Sequence, residues 1–265
     1  MTLSLDAITL GVPEVRAAHE FYASVLAATA TGNGRYVNLD MHGTGQLALA
    51  GTDELAADAD AEPATSGFRG YVLNSVVSQP SEVITMLDAA VRSGAKVLKP
   101  AKKMLFAGFA AVYQAPDGAI WKLAAPTRKD TGQGGRPPVP TETIAVLGVD
   151  EPDASKAFYA ALGMTVDRDY GSKFVDFRLT AGTCRLALMP RKALAKDAGV
   201  DDGGSGFRAA VLDCRVESRD EVEALLAAAV SAGGRIAVAA GETQWGDYAG
   251  HFTDPDGFLW KVACA

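Results

Sequence analysis

The sequence predicts an α+β protein of two tandem domains, each reading β-α-β-β-β twice. Three observations predict it. The chain is largely one unit written twice. Leu10-Gly11-Val12 recurs as Leu147-Gly148-Val149, and Phe21-Tyr22 as Phe158-Tyr159. Gly67-Phe68-Arg69 recurs as Gly206-Phe207-Arg208, and Pro116-Asp117-Gly118 with Trp121-Lys122 as Pro255-Asp256-Gly257 with Trp260-Lys261. The spacing is 137 residues at the front (Leu10 to Leu147) and 139 from the middle on (Gly67 to Gly206). A nearly constant spacing over a whole unit means tandem duplication. The period is too long for a solenoid repeat, so each copy is a domain. Second, strand-like alternation and helix-like three- and four-residue steps follow one another in the same order in both copies. Third, residues 126–141 are rich in Pro and Gly and lack apolar periodicity, which blocks helix and strand alike. The expected domains are 1–127 and 142–265, joined by a linker at 128–141.

Each copy opens with an alternating strand, at 5–12 and 143–149. A helix follows at 15–26, where Ala18, Phe21, Tyr22 and Val25 form an apolar stripe. Its twin at 153–162 ends on Gly163, the residue best suited to a left-handed helix stop. Short strands come next, at 36–41 with 46–50 and at 173–179 with 184–189. Polar, Ala- and Asp-rich segments at 52–66 and 191–205 read as loops. They lead to strands at 69–77 and 208–216. A second helix starts at Pro80-Ser81-Glu82 or Ser218-Arg219-Asp220-Glu221, with acidic groups in the first turn where the helix dipole favours them. Gly94 and Gly233-Gly234 close these helices. A strand and a hairpin then end each copy, turning at Pro-Asp-Gly, with Pro second and Gly last as such turns require.

The bulk numbers suit a globular protein. Of 265 residues, 48% are hydrophobic and 22% charged. The net charge of −7 and a pI near 5.0 argue against a nucleic-acid or anionic-membrane surface. No run approaches the roughly 20 apolar residues of a membrane helix, and no targeting segment is read at the start. Three cysteines, Cys184, Cys214 and Cys264, all in the second copy, fit a reducing cytoplasm better than a disulfide framework. A homodimer is left open.

This element order, with these words in these places, resembles the vicinal oxygen chelate superfamily of glyoxalases, bleomycin-resistance proteins and extradiol dioxygenases. The carrying residues are Leu10-Gly11-Val12, Phe21-Tyr22 and Pro116-Asp117-Gly118-Ala119-Ile120-Trp121. In the second copy, the stretch from Trp245 through Tyr248, Phe252 and Gly257 to Trp260 is similar to the closing signature of the glyoxalase-like branch. The first copy keeps a worn version, Phe106 to Tyr113. The resemblance implies cupped mixed sheets with helices outside and a ligand in the concavity. It also implies a metal held by inward side chains of the first, fifth and last strands, commonly two His and a Glu. Carried onto this chain, the first-strand position falls on Ala7 and Ile144, and the last-strand position on Lys122 and Lys261. The fifth strands offer no His or Glu; Asp213 alone could ligate. Ala and Ile cannot bind metal, and a lysine ammonium has no free lone pair. Neither copy is expected to hold a metal, and no cofactor is expected.

Seven residues are the candidate ligand contacts: Trp245, Tyr248, Phe252, Lys261, Phe106, Tyr113 and Lys122. The aromatics, with Phe109, could stack on a flat ligand. With a tight closing turn, His251 faces Trp260, and Phe252 shares the cavity face with Lys261. Each lysine either meets an anionic, carbonyl or imine-forming ligand or pairs with a carboxylate such as Asp40 or Asp176. Pairing is the favoured reading. His19 and His42 read as surface or packing residues, His251 lies beside the expected pocket, and Cys214 reads as a buried structural thiol. No Ser-His-Asp order appears, and no catalytic residue is assigned. The second copy, with the sharper signature, should hold the better pocket. The expected function is metal-independent binding of a small hydrophobic or aromatic molecule. The alternative is a glyoxalase-like lyase or isomerase working through Lys261, His251, Tyr248 or Asp213. A scaffold acting through partner contacts is a third reading.

Overall fold

The computed structural model of the chain describes residues 2–32, 36–104, 108–130, 137–180, 182–244 and 246–265. Four β-α-β-β-β modules follow in order. The first comprises β1 (Ala7–Val12), α1 (Val15–Leu26), β2 (Thr29–Gly32), β3 (Val37–Asp40) and β4 (Gln46–Gly51). A short helix α2 (Thr52–Asp58) and strand β5 (Thr65–Gly67) lead to the second: β6 (Tyr71–Val76), α3 (Pro80–Arg92), β7 (Lys96–Lys103), β8 (Phe109–Gln114) and β9 (Ile120–Ala125). The third holds β10 (Glu142–Val149), α4 (Pro152–Ala161), β11 (Val166–Asp169), β12 (Val175–Phe177) and β13 (Arg185–Pro190). Helix α5 (Arg191–Ala198) and β14 (Gly204–Gly206) precede the fourth: β15 (Ala210–Arg215), α6 (Arg219–Ser231), β16 (Arg235–Glu242), β17 (Tyr248–Thr253) and β18 (Leu259–Cys264).

The sheets and the sequence repeat divide the chain differently. One eight-stranded sheet runs β16-β17-β18-β15-β1-β4-β3-β2 and joins the first module to the fourth. The other runs β11-β12-β13-β10-β6-β9-β8-β7 and joins the second module to the third. Each sheet therefore takes one module from each copy. The seams are the antiparallel pairs β1–β15 and β10–β6. Strand β1 is buried at all six positions, as a central strand covered on both faces should be. Strands β7 and β16 are edges. Both pair through register shifts, and β7 carries Lys96, Lys99, Lys102, Lys103 and Pro100, the charge and proline that discourage further pairing.

The four long helices cover the outer faces. Glu14 caps α1 by accepting from the backbone N–H groups of Arg16 and Ala17. Ser218 caps α6 through Glu221 N–H. The core beneath them repeats itself. Tyr22 donates to Asp117 at 2.6 Å and accepts from Trp121 Nε1 at 3.3 Å. Tyr159 donates to Asp254 at 2.6 Å and accepts from Trp260 Nε1 at 3.2 Å. The tyrosines and tryptophans are repeat equivalents, but the aspartates are not: Asp117 matches Asp256 in the repeat, and Asp254 stands two residues earlier.

Two segments expected to be loops contain helices. Helix α2 buries Leu55 and Ala56, and α5 buries Leu194, Ala195 and Ala198. Their Ala-rich composition favours helix, and a few apolar residues suffice to seat each turn against a sheet.

Candidate functional site

A row of side chains crosses the first sheet on its inner face. His251 is in register with Lys261, Lys261 with Asp213, Asp213 with Ala7, and Ala7 with Gln46. Ala7, Asp213, His251 and Lys261 line a cavity of about 1270 Å³, together with Thr9, Asn38, Asp58 and Asp247. Leu55 of α2, Ala48 and Val211 supply apolar wall. The cavity belongs to both sequence copies, because β1 and β4 come from the first and β15, β17 and β18 from the second.

The floor is an alternation of charges. Lys261 Nζ lies 3.1 Å from Asp247 Oδ2. Asp213 is half-buried and accepts from Thr9 Oγ1 at 2.6 Å through Oδ2. Burial pushes its carboxyl up to about 6, and the Thr9 hydrogen bond and the charges of Lys261 and Arg215 hold it from rising further. His251 is 8% exposed, and its Nδ1 is buried with no hydrogen-bond partner among the described residues. Burial, reinforced by the neighbouring Lys261 charge, lowers its imidazole to about 4, so the ring is neutral at physiological pH. Burial together with the Thr243 hydrogen bond and Lys261 leaves Asp247 below the ordinary carboxylate range, the latter two outweighing the first. A neutral imidazole with an idle nitrogen, a carboxyl that titrates near neutrality and an ammonium therefore share one wall.

The matching row in the second sheet runs Val112, Lys122, Asn74, Ile144 and Arg185. There the concavity is filled. Leu194, Ala195 and Ala198 of α5 pack into a cluster with Val72, Val112, Val146 and Ala187. Lys122 Nζ pairs with Asp197 of the same helix at 2.6 Å, which pins the plug to the floor. Asp58 of α2 is the repeat equivalent of Asp197. Helix α2 seats Leu55, Ala56 and Ala59 against Phe207, Val211 and Leu259 in the first sheet in the same way, but there Asp58 accepts from Tyr36, Lys261 turns to Asp247, and Thr9 and His251 stand where Val146 and Val112 stand in the second sheet, which leaves a cavity beside the helix.

The seven expected contacts divide sharply. Lys261 lines the cavity. Phe252 does not: it is in register with Trp260, packs on Phe158 and Trp260, and belongs to the core under the helices. The closing turn is longer than the expected tight one, so Thr253 pairs with Leu259, which moves every partner by one residue and turns Phe252 away from Lys261. His251, not Phe252, shares the cavity face with Lys261. Tyr113 is likewise buried against Phe21, on the helix side. Tyr248 donates to Glu223 of α6 and lies under the Arg219 guanidinium. Lys122 sits under the α5 plug. Trp245 and Phe106 lie outside the described residues. The carboxylates paired with the lysines are Asp247 and Asp197, not the expected Asp40 and Asp176. Asp176 is held by Arg168 and Arg185, and Asp40 accepts from Gly43 N–H in its own turn. His42 Nε2 donates to the Leu26 carbonyl at the end of α1.

The row does not suit a divalent metal. Ala7 has no donor atom, the Lys261 ammonium has no lone pair, and Asp213 has spent one oxygen on Thr9. Among the described residues no group of three His, Cys, Asp or Glu side chains converges on a metal position. Thr9, Asp58 and Asp247 were not singled out from the sequence. The signal for one existed: Asp58 and Asp197 are spaced by the repeat offset of 139 within otherwise bland Ala-rich segments.

Residues 143–262 match the sequence profile of the Glyoxalase/Bleomycin resistance protein/Dioxygenase superfamily. No curated protein is significantly similar to the chain in sequence. Among solved structures, a "putative dioxygenase" from Bacillus subtilis subsp. subtilis str. 168 superposes with a TM-score of 0.65 at 16% identity, covering 99% of this chain and 85% of that one. Glyoxalase I from Zea mays superposes with a TM-score of 0.64 at 15% identity, covering 99% and 92%. At such identities the likeness is one of fold. Residues 143–262 thus belong to the Glyoxalase/Bleomycin resistance protein/Dioxygenase superfamily, and the chain as a whole has the two-domain fold of glyoxalase I.

Proposed function

We propose that the chain binds a small organic molecule in the first cup, without a metal, and leaves the second cup as a structural element. One observation carries this reading: a short helix packs over both cups, yet the first keeps a cavity of about 1270 Å³ over the row His251–Lys261–Asp213, whereas α5 closes over the valines of the second. An idle buried imidazole nitrogen is costly unless a ligand or water satisfies it. The ligand therefore carries a polar group for His251 and Asp213 at the floor and an apolar part for Leu55, Ala48 and Val211. Tyr36 is the aromatic side chain among the described lining residues, so flat stacking is a smaller part of recognition than the sequence suggested. Three buried, unpaired thiols support a reducing, cytoplasmic setting.

A second reading follows from Asp213. A carboxyl that titrates near 6 can take and return a proton at neutral pH, and an ammonium one strand away can steady an oxyanion. That arrangement supports an acid/base isomerase or lyase acting next to a carbonyl.

The test is a metabolite screen by thermal shift in chelator-treated buffer, followed by calorimetry on Ala48→Trp, which fills the first cup, and on Lys122→Met, which touches the second. Hits should vanish in Ala48→Trp and survive in Lys122→Met. Hits that require added metal, or that survive Ala48→Trp, would remove the proposal. Deuterium incorporation from solvent into a bound carbonyl compound, lost in Asp213→Asn, would select the enzymatic reading.

A further inference from the structure

Between the two cups lies a second, smaller cavity of about 370 Å³. It sits where the short strands β5 and β14 pair, with Ser66 opposite Ser205. Three arginines reach it: Arg69, Arg191 and Arg208. Arg69 and Arg208 are repeat equivalents, and each steadies its own closing turn. Arg69 Nη2 donates to the Asp117 carbonyl at 2.6 Å, and Arg208 Nη2 to the Asp256 carbonyl at 2.7 Å. Arg191 breaks the symmetry, since Thr52 stands in its place in the first copy.

The close approach of Arg191 and Arg208 is unusual. Both Nη1 atoms lie within 2.3 Å of the point where a Cβ on Gly70 would stand. Gly70, at φ +87°, leaves that point empty. Arg191 is anchored by donating to the Asp202 carbonyl through Nε and to the Phe68 carbonyl through Nη2. Arg208 Nη1 donates to the Arg69 carbonyl. Both guanidinium groups are thus held in position by neutral carbonyls that do not cancel their charge. Burial and the Arg191 charge together push the Arg208 guanidinium below its ordinary range. Arg69 Nη1 is buried and, among the described residues, has no well-aligned hydrogen bond, the Tyr71 hydroxyl being a polar neighbour of its guanidinium. Two carboxylates also border the cavity. Asp256 already accepts from Asp150 N–H and from Ser155 Oγ, so its oxygens are committed to α4. Asp117 and Asp254 act on Arg69 and Arg208 from outside the lining, but burial raises both carboxyls, so the lining itself sets three guanidinium groups against two carboxylates around a polar void.

We propose that this junction is a binding site for a small oxyanion: inorganic phosphate, or the phosphate of a small phosphorylated metabolite. An oxyanion between Arg191 and Arg208 would relieve their repulsion and accept from planar donors already oriented for it. Thr65 and Ser205 line the same void, with the Ser205 hydroxyl paired to that of Ser66. The site is separate from the first cup and stands or falls independently of it.

The experiment is calorimetric and thermal-shift titration of the full chain with inorganic phosphate, and with glycerol phosphate, against chloride at matched ionic strength. Phosphate should bind saturably and raise the melting temperature beyond chloride. Arg191→Met should weaken binding by about ten- to a hundredfold, the loss expected for a charge-assisted hydrogen bond. Should Arg191→Met fail to fold, Ser205→Asp puts a carboxylate in the void at an exposed position and should abolish binding while the fold persists. Tighter binding of glycerol phosphate than of phosphate would identify a phosphorylated metabolite; the reverse would identify the free anion. A phosphate response equal to that of chloride, or one unchanged by both substitutions, would overturn the site.

Discussion

Asp213 and Lys261 stand in register on neighbouring parallel strands at the floor of the open cup. The pair sits at positions where the superfamily resemblance implied metal ligands, and it replaces an acceptor-only shell with a carboxyl beside an ammonium. Lys261 lowers the pKa of Asp213 against the upward push of burial. Removing the lysine should therefore move the titration of Asp213 above 6. Carbon-13 carboxyl chemical shifts of wild type and Lys261→Met would read this directly; coincident titrations would show that the two groups do not communicate.

The same pair predicts a pH-dependent stability loss. Asp213 has a folded pKa above its ordinary value of 3.8, so ionising it in the fold is unfavourable. Its contribution is complete below about pH 4 and is lost as pH rises through about 6. Without Lys261 the ionised form is worse off still. Lys261→Met should cost about 1–3 kcal/mol above pH 7 and distinctly less at pH 5. Equal losses by denaturant titration at both pH values would contradict this account.

The plug in the second cup should behave as core. Leu194 is 2% exposed and sits among Val72, Val112 and Val146. Leu194→Ala should lower stability by about 2–5 kcal/mol. Asp197→Asn should loosen α5 more gently, because the pair it breaks with Lys122 is partly solvent-exposed. Hydrogen exchange of α5 amides is the discriminating measurement: faster exchange confined to α5 and its neighbours is expected, and an unchanged pattern would mean that the pair holds nothing in place.

The aromatics of the closing signature should prove structural where they are described. Tyr248→Phe removes an exposed bond to Glu223 and should leave any ligand affinity in the first cup unchanged. Phe252→Ala should cost about 3–5 kcal/mol of stability through lost packing on Phe158 and Trp260. A ligand that loses affinity in Tyr248→Phe would put the site on the helix side of the sheet.

The module pattern was legible because duplication printed the same words twice, and strand and helix periods are local. The exchange of modules between sheets was not. Nothing in residues 5–12 or 208–216 states that β1 will pair with β15, since partner choice is settled by packing across 204 residues, as between Thr9 and Asp213. Lys261 at the floor was legible from its repeat position. Phe252 was misplaced because one extra residue in a hairpin turns every later side chain to the other face. Part of the contrast between the cups was in the sequence, since Thr9 and His251 stand where the repeat has Val146 and Val112. The rest lies in which carboxylate each lysine reaches, Asp247 or Asp197, and that depends on loop paths rather than on any pattern.

Asp254 should leave its own mark on the pH dependence of folding. It is 3% exposed, beneath α4, and burial pushes its carboxyl up to about 7 despite hydrogen bonds from Tyr159 and the Phe258 N–H. The folded pKa lies above the ordinary 3.8, so between about pH 4 and 7 the folded chain holds a proton that the unfolded chain has released. Stability is therefore greatest on the acid side of this window and falls as pH rises through 7, by up to about 1.4 kcal/mol per pH unit from this group alone. Asp254→Asn cannot ionise and should flatten that part of the curve. Tyr159→Phe removes a donor that favours the carboxylate and should shift the fall to higher pH. Melting temperatures of the three proteins from pH 4 to pH 9 test both signs. If wild type and Asp254→Asn fall in parallel across the window, the proton is not held at Asp254, and the two-residue displacement from Asp117 carries no electrostatic consequence.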